Sequence, residues 1–235
     1  MSTERSVELI EKRIAGLFSG KQPPELYQPM SYILGLNCKR RLSQLTLWGC
    51  HLYDEDIEKA ITPAVGVEVF YGFFLIHDDL LEHRNTRQQK PSIHSKWDSN
   101  IAILSGDAMI FKALELLIQV ETVSIKPAVK MFNQCFTDIC EQKQRALNHQ
   151  AHENVSCGQI ISGFSMQLGA LIAGADSQEL QLVDSVGRQL GGMIDAFDVT
   201  TPAKVRESLD LLSCPSDRVT SFVNWYQHQM MDINR

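Results

Sequence analysis

The feature that most constrains this chain is the spacing of its apolar residues. Six segments, VELIEKRIAGLF, LSQLTLWGCHLY, TPAVGVEVFYGFFLIHDDLLEH, SGDAMIFKALELLIQ, KPAVKMFNQCFTDICEQKQRAL and SQELQLVDSVGRQLGGMIDAF, repeat apolar side chains every three or four positions. That is the period of one face of an α-helix. Alternating apolar and polar runs are few, and Asn-Gly and Asp-Gly turns are missing, so a sheet has little to start from. Pro63 and Pro127 fall where a first helical turn tolerates proline. Breaks are expected at GKQPPELYQP, HRNTRQQKPS, HENVSCG and SCPSD. The expectation is an all-α bundle of roughly eight to ten helices, each averaging about eleven or twelve residues.

Composition narrows the setting. With 235 residues, 44% hydrophobic and 21% charged, residues 1–235 are expected to form a single domain with a sizeable core. No apolar run is expected to span a bilayer, and the charged start MSTERSVELIEKRIAGLF does not resemble a secretory signal. A cytoplasmic location is expected. Six cysteines without CxxC or Cys/His spacing are expected to be reduced core residues. A net charge of −6 without a long basic block argues against nucleic acid as the main partner.

The stretch FFLIHDDLLEHRNTRQQKPSIH concentrates the chemistry. On a helix Asp78 and Glu82, four apart, share a face, and Asp79 lies about 100° round. Three like charges so close need offsetting. Arg84 and Arg87 would do so as plain salt bridges; Mg²⁺ is the sharper reading, because hard cations take carboxylate oxygens and share them with substrate phosphates. Phe74 lies one turn before Asp78 and Tyr71 another turn back, so aromatics and carboxylates form one stripe. Apolar space beneath a charged cluster suits a ligand with a diphosphate head and a hydrocarbon tail. A second acidic pair, Asp195 and Asp198 in GRQLGGMIDAFD, would complete a metal cage if it faced the first across a bundle core.

HDDLLEHRNTRQQKPSIH followed by NIAILSGDAM resembles the first aspartate-rich motif of the polyprenyl synthetase family, the trans-isoprenyl diphosphate synthases. CKRRLSQLTLWGC, EVFYGFFLIHDD and, more faintly, ENVS, LGALIAGA and GRQLGGMIDAFD extend the similarity over most of the chain. The resemblance implies an isoprenoid-synthase-type helical bundle with a central cavity, usually homodimeric. It implies Mg²⁺-dependent ionisation of an allylic diphosphate and attack on the cation by isopentenyl diphosphate. By resemblance, Asp78, Asp79 and Glu82 would hold metal on one side and Asp195 and Asp198 on the other, and Arg87 would grip the allylic diphosphate. Lys39, Arg40 and His94 match isopentenyl diphosphate positions, and Phe73 and Phe74 match an aromatic floor that limits products to short chains.

The departures touch chemistry. NCKRRLS stands for GGKRLRP, placing Asn37, Cys38 and Leu42 at glycine and arginine positions; the paired arginines become Arg87-Gln88; the GQxxD element becomes Gln142 to Ala146. The segment between ENVS and LGALIAGA is short by about three helical turns, which removes a Lys-Thr pair. In the second motif Gly191 and Ile194 replace glutamine and the first aspartate, and relative to the family the chain is short at its C-terminus. One such lost contact costs about 10² to 10³ in rate. Three readings follow: a divergent short-chain prenyltransferase; a silent partner subunit, pairing with an active synthase, or prenyl-diphosphate binding module; and a single-substrate cyclase or diphosphate hydrolase.

Overall fold

The computed structural model describes residues 3–36, 39–54, 56–119, 125–148, 155–191 and 202–233. Among them eleven α-helices account for nearly all regular structure, one of them a single turn, with a pair of two-residue strands. The all-α expectation holds. The helices pack as two units.

The unit built from residues 2–40 and 61–119 contains α1 (Thr3–Leu17), α2 (Pro24–Leu36), α4 (Ile61–Leu81), the strands β1 (Thr86–Arg87) and β2 (Lys90–Pro91), α5 (Ile93–Lys96) and α6 (Ser99–Leu117). Its axis is α4, buried on nearly every side. Glycines let α6 approach it: a Cβ at Gly66 would lie 3.0 Å from Leu116 Cβ, and one at Gly72 only 2.5 Å from Met109 Cε. Helix α6 starts at an N-cap, where Asp98 accepts from the Ile101 N–H. The stretch from Glu58 to Leu81 is, against expectation, long and apolar enough to cross a membrane by length and composition, with mean hydropathy 1.5. It is apolar because it is a core helix, 78% buried in the fold.

The other unit, residues 41–60 and 120–235, holds α3 (Arg41–Tyr53), α7 (Ile125–Leu147), α8 (Cys157–Ile172), α9 (Ser177–Gln189), α10 (Pro202–Leu209) and α11 (Ser216–Ile233). Helices α3 and α8 cross almost backbone to backbone. A Cβ at Gly49 would stand 2.1 Å from the Met166 carbonyl oxygen, and one at Gly169 1.9 Å from that of Thr46, so neither position accepts a side chain. A capping box starts α8: the Ser156 hydroxyl accepts from Gln159 N–H, and the Gln159 amide oxygen accepts from Ser156 N–H. Trp48 meets Phe222 edge to face between α3 and α11, and Trp225 packs tilted against both, its Nε1 donating to Gln44 Oε1 at 3.1 Å.

Two local expectations change. GKQPPELYQP is not a break throughout: α2 begins at Pro24 and runs on through a buried Pro29. The missing N–H there costs one helical bond, offset by burial of Met30, Ile33 and Leu34 on the same helix. The cysteines are not all core. Cys50 and Cys135 are buried, Cys157 and Cys214 half-buried and Cys140 exposed, with no disulfide among the described residues; Cys38 lies outside them.

Candidate functional site

Helix α4 ends in a turn that brings cations back over its own carboxylates. His83 adopts the left-handed conformation, φ 52°. Its N–H donates to the Leu80 carbonyl at 3.3 Å, and the Arg84 N–H to that of Asp79 at 2.9 Å. This paired closure of a helix C-terminus normally recruits glycine. It reverses the chain, and the hairpin follows, with Thr86 opposite Pro91 and Arg87 opposite Lys90. Gln88 and Gln89 form its tip at φ 50° and 63°, a turn type that favours Asn-Gly and costs each glutamine about 1–2 kcal/mol.

The reversal delivers two arginines. Arg87 grips Asp79 with Nε 3.1 Å from both carboxylate oxygens and Nη2 2.8 Å from Oδ1, and its Nη2 also reaches Asp78 Oδ2 at 3.2 Å. Arg84 Nη1 stands 2.9 Å from the same Asp78 oxygen, and its Nη2 lies 3.8 Å from Glu82 Oε1. The side chains of Asp78, Asp79 and Arg87 are only 6%, 1% and 17% exposed, against 43% for Arg84 and Glu82. Burial alone would lower the Arg87 pKa, but the hydrogen bonds and charge of Asp79, then the charge of Asp78, outweigh it and raise the value. A buried carboxylate pair is tolerable only with such partners.

Behind the carboxylates two aromatic stripes run down α4. Tyr71 and Phe74 stack 6.0 Å apart on the stripe of Asp78. Phe70 and Phe73, also 6.0 Å apart, continue to His77, whose ring lies 4.6 Å from that of Phe73. Gly106 of α6 makes room for His77: a Cβ there would stand 2.3 Å from Nε2. Burial pushes the His77 imidazole below its ordinary pKa, partly offset by Asp107, 3.6 Å from Nε2. Phe73 is thus a wall residue against α6, while Phe74 is half-buried on the acidic stripe.

The remaining expected residues divide. Lys39 is exposed. Arg40 is 1% exposed and turned into the fold. Its Nε donates to Glu11 Oε1 at 2.7 Å, its Nη2 to Glu11 Oε2 at 3.1 Å and to the Leu34 carbonyl at 2.9 Å, and Glu68 lies 3.8 Å away. Two carboxylates and a carbonyl hold this guanidinium in place. His94, on α5, is half-buried with Nδ1 3.3 Å from the Ser92 hydroxyl. Asp195 and Asp198 lie outside the described residues. Among the described residues no three His, Cys, Asp or Glu side chains are placed to hold a metal. Arg84 is the residue that sequence reasoning undervalued; a non-glycine residue just past the end of an apolar helix gave no sign that the chain reverses.

Comparison with known proteins agrees with this description. A sequence model of the polyprenyl synthetase family matches residues 23–199. Geranylgeranyl diphosphate synthase of Methanosarcina mazei is 26% identical over 212 residues, covering 83% of this chain and 65% of that one. The Sulfolobus acidocaldarius enzyme of the same name is 30% identical over 183 residues, covering 72% and 55%. The chain therefore spans just over half to just under two thirds of the length of these relatives. In three dimensions, an isoprenoid synthase family member from Thermotoga neapolitana superposes with TM-score 0.76 at 19% identity, over 97% of this chain and 99% of that one. A geranylgeranyl pyrophosphate synthase gives 0.73 at 24%, over 97% and 86%.

Proposed function

This chain belongs to the polyprenyl synthetase family, and from that premise we propose that it is a short-chain prenyltransferase-type protein of isoprenoid biosynthesis that binds an allylic diphosphate at Asp78, Asp79, Arg84 and Arg87. The observation that carries the reading is the buried Asp78–Asp79 pair clamped by two arginines at the head of the Tyr71–Phe74 stripe. An arginine shared between two carboxylates can pass to a diphosphate, whose planar oxygen edges it matches equally well. The donors are of the kind Mg²⁺ takes, hard carboxylate oxygens, although here the arginines hold them and no three are grouped around one point among the described residues. Asp78, Asp79 and Glu82 would hold the ion, and Asp195 and Asp198 remain candidate ligands; a bound ion would supply positive charge to a departing diphosphate.

The chain's own residues then have distinct tasks. Arg87 and the more exposed Arg84 bind and orient the diphosphate, Arg84 standing in for the second arginine that Gln88 replaces. Phe74 and Tyr71 floor the tail pocket, and Phe73, braced by His77, stiffens it. Lys39 and His94 receive isopentenyl diphosphate, and Arg40 positions the Lys39 turn from below through Glu11 and Glu68. The partner is a second copy or an active synthase in the cytoplasm, docked on α6, where Ile103, Leu104 and Phe111 are 44%, 61% and 73% exposed. A second reading, a silent subunit or binding module, draws on the closed ion cluster around Arg40 and on Gln88, exposed at the hairpin tip.

Calorimetric titration with geranyl diphosphate, with and without Mg²⁺, followed by product analysis after adding isopentenyl diphosphate, tests both. Mg²⁺-dependent binding that is lost in Asp78→Ala supports the site, and a lengthened product identifies a synthase. Binding without a product supports the silent reading. No binding overturns the proposal. Phe74→Ala is expected to admit longer allylic diphosphates; an unchanged length preference removes Phe74 from the floor.

A further inference from the structure

Residues at the α1–α2 turn, on α2 and at the end of α5 enclose a cleft of about 610 Å³, a size ordinary for a small-molecule site. Its walls are aromatic: Phe18 and Tyr27 lie 6.0 Å apart on one side, and Tyr32 and Trp97 meet edge to face, 5.4 Å apart at 75°, on the other. Each wall carries a lysine. Lys21 Nζ sits 5.6 Å from the Tyr27 ring centre, and Lys96 Nζ is 4.0 Å from that of Tyr32 and 4.7 Å from that of Trp97. Among the described residues no carboxylate lines the cleft, although the whole chain carries a net charge of −6.

We infer that this cleft binds a small planar aromatic anion, such as an aryl phosphate. A cleft whose charged lining residues are two lysines and no carboxylate, in an acidic protein, selects for negative charge. The edge-to-face Tyr32–Trp97 pair leaves a corner between two ring planes that accepts the face or edge of a third ring. An ammonium over a half-buried ring is held less strongly than one paired with an anion, so Lys21 and Lys96 transfer to ligand oxygens. The side-chain amides of Gln22 and Gln28, which also line the cleft, supply neutral donors. The inference does not rest on the reading of the acidic cluster.

The test is calorimetric titration of the full chain with 1-naphthyl phosphate. The expected result is saturable binding at one site, at least about tenfold weaker in the double variant Lys21→Gln/Lys96→Gln, as loss of a charge-assisted contact requires. Binding is expected to weaken similarly in Trp97→Ala and to be unchanged in Asp78→Ala. Circular dichroism checks that each variant is folded, and the lysine pair carries the test if Trp97→Ala is not. Absence of binding, equal binding to the lysine double variant, or equal affinity for inorganic phosphate or 1-naphthol overturns the proposal. Loss of binding in Asp78→Ala also overturns it, by assigning the ligand to the acidic cluster.

Discussion

Asp78 and Asp79 share Arg87 at the end of α4, while Asp138 and Asp184 share Arg188 in the other unit, so the same trio of two aspartates and an arginine occurs twice in different circumstances. In the second cluster Arg188 Nε lies 2.7 Å from Asp184, one turn away on the same helix, and Nη2 lies 3.7 Å from Asp138 on α7. Those side chains are 24–35% exposed beside an open cavity of about 480 Å³. In the first cluster the partner arrives by a chain reversal, and the aspartates are at most 6% exposed. A pair spaced four apart on one helix forms with no help from the rest of the fold and is worth little. A buried pair exists only because the backbone was spent on arranging it, which singles it out as the functional candidate.

The difference is open to measurement. Arg87→Ala is expected to have the largest effect, about 3–5 kcal/mol in urea-induced unfolding, because it takes the guanidinium from buried Asp79 and leaves Asp78 with Arg84; a loss below about 1 kcal/mol breaks the comparison. Gly106→Ala comes next. It drives a Cβ to within 2.3 Å of the His77 ring, and the same unfolding assay should show about 1–3 kcal/mol of overpacking strain. Arg188→Ala should cost no more than about 1 kcal/mol, and the cost should shrink further in high salt, which screens exposed pairs more than buried ones. If Arg188→Ala matches Arg87→Ala, burial is not what separates the two clusters.

The legible parts of the molecule were those with a long helical period opened by a proline, one-sided in α7 though not in α4, which is buried on nearly every side. Segments 126–147 and 62–83 coincide with α7 and α4 within a residue or two, and Pro63 and Pro127 fall in their first turns. Helix α8 was not legible because thirteen of its sixteen residues are buried, leaving no polar face to set a period. The hairpin escaped because Gln88-Gln89 is not a sequence that announces such a turn. Asp78, Asp79 and Arg87 were named from sequence, and the fold brings them into one ion-paired cluster. The surroundings of Arg40 were not legible, because its partners Glu11 and Glu68 lie 29 and 28 positions away, and only folding brings them together.

Helix α4 poses a problem of timing during synthesis. Until α6 emerges from the ribosome, the stretch from Glu58 to Leu81 presents the length and hydropathy of a membrane-inserting segment, with little more than α1 and α2 of its own unit available to cover it. Glu68, near its middle and fully buried in the finished protein, acts in that interval as a discriminator: an acidic side chain at the centre of a nascent helix opposes insertion by about 2.5–3.5 kcal/mol. The residue that later balances Arg40 therefore first helps to keep the newborn chain out of the bilayer.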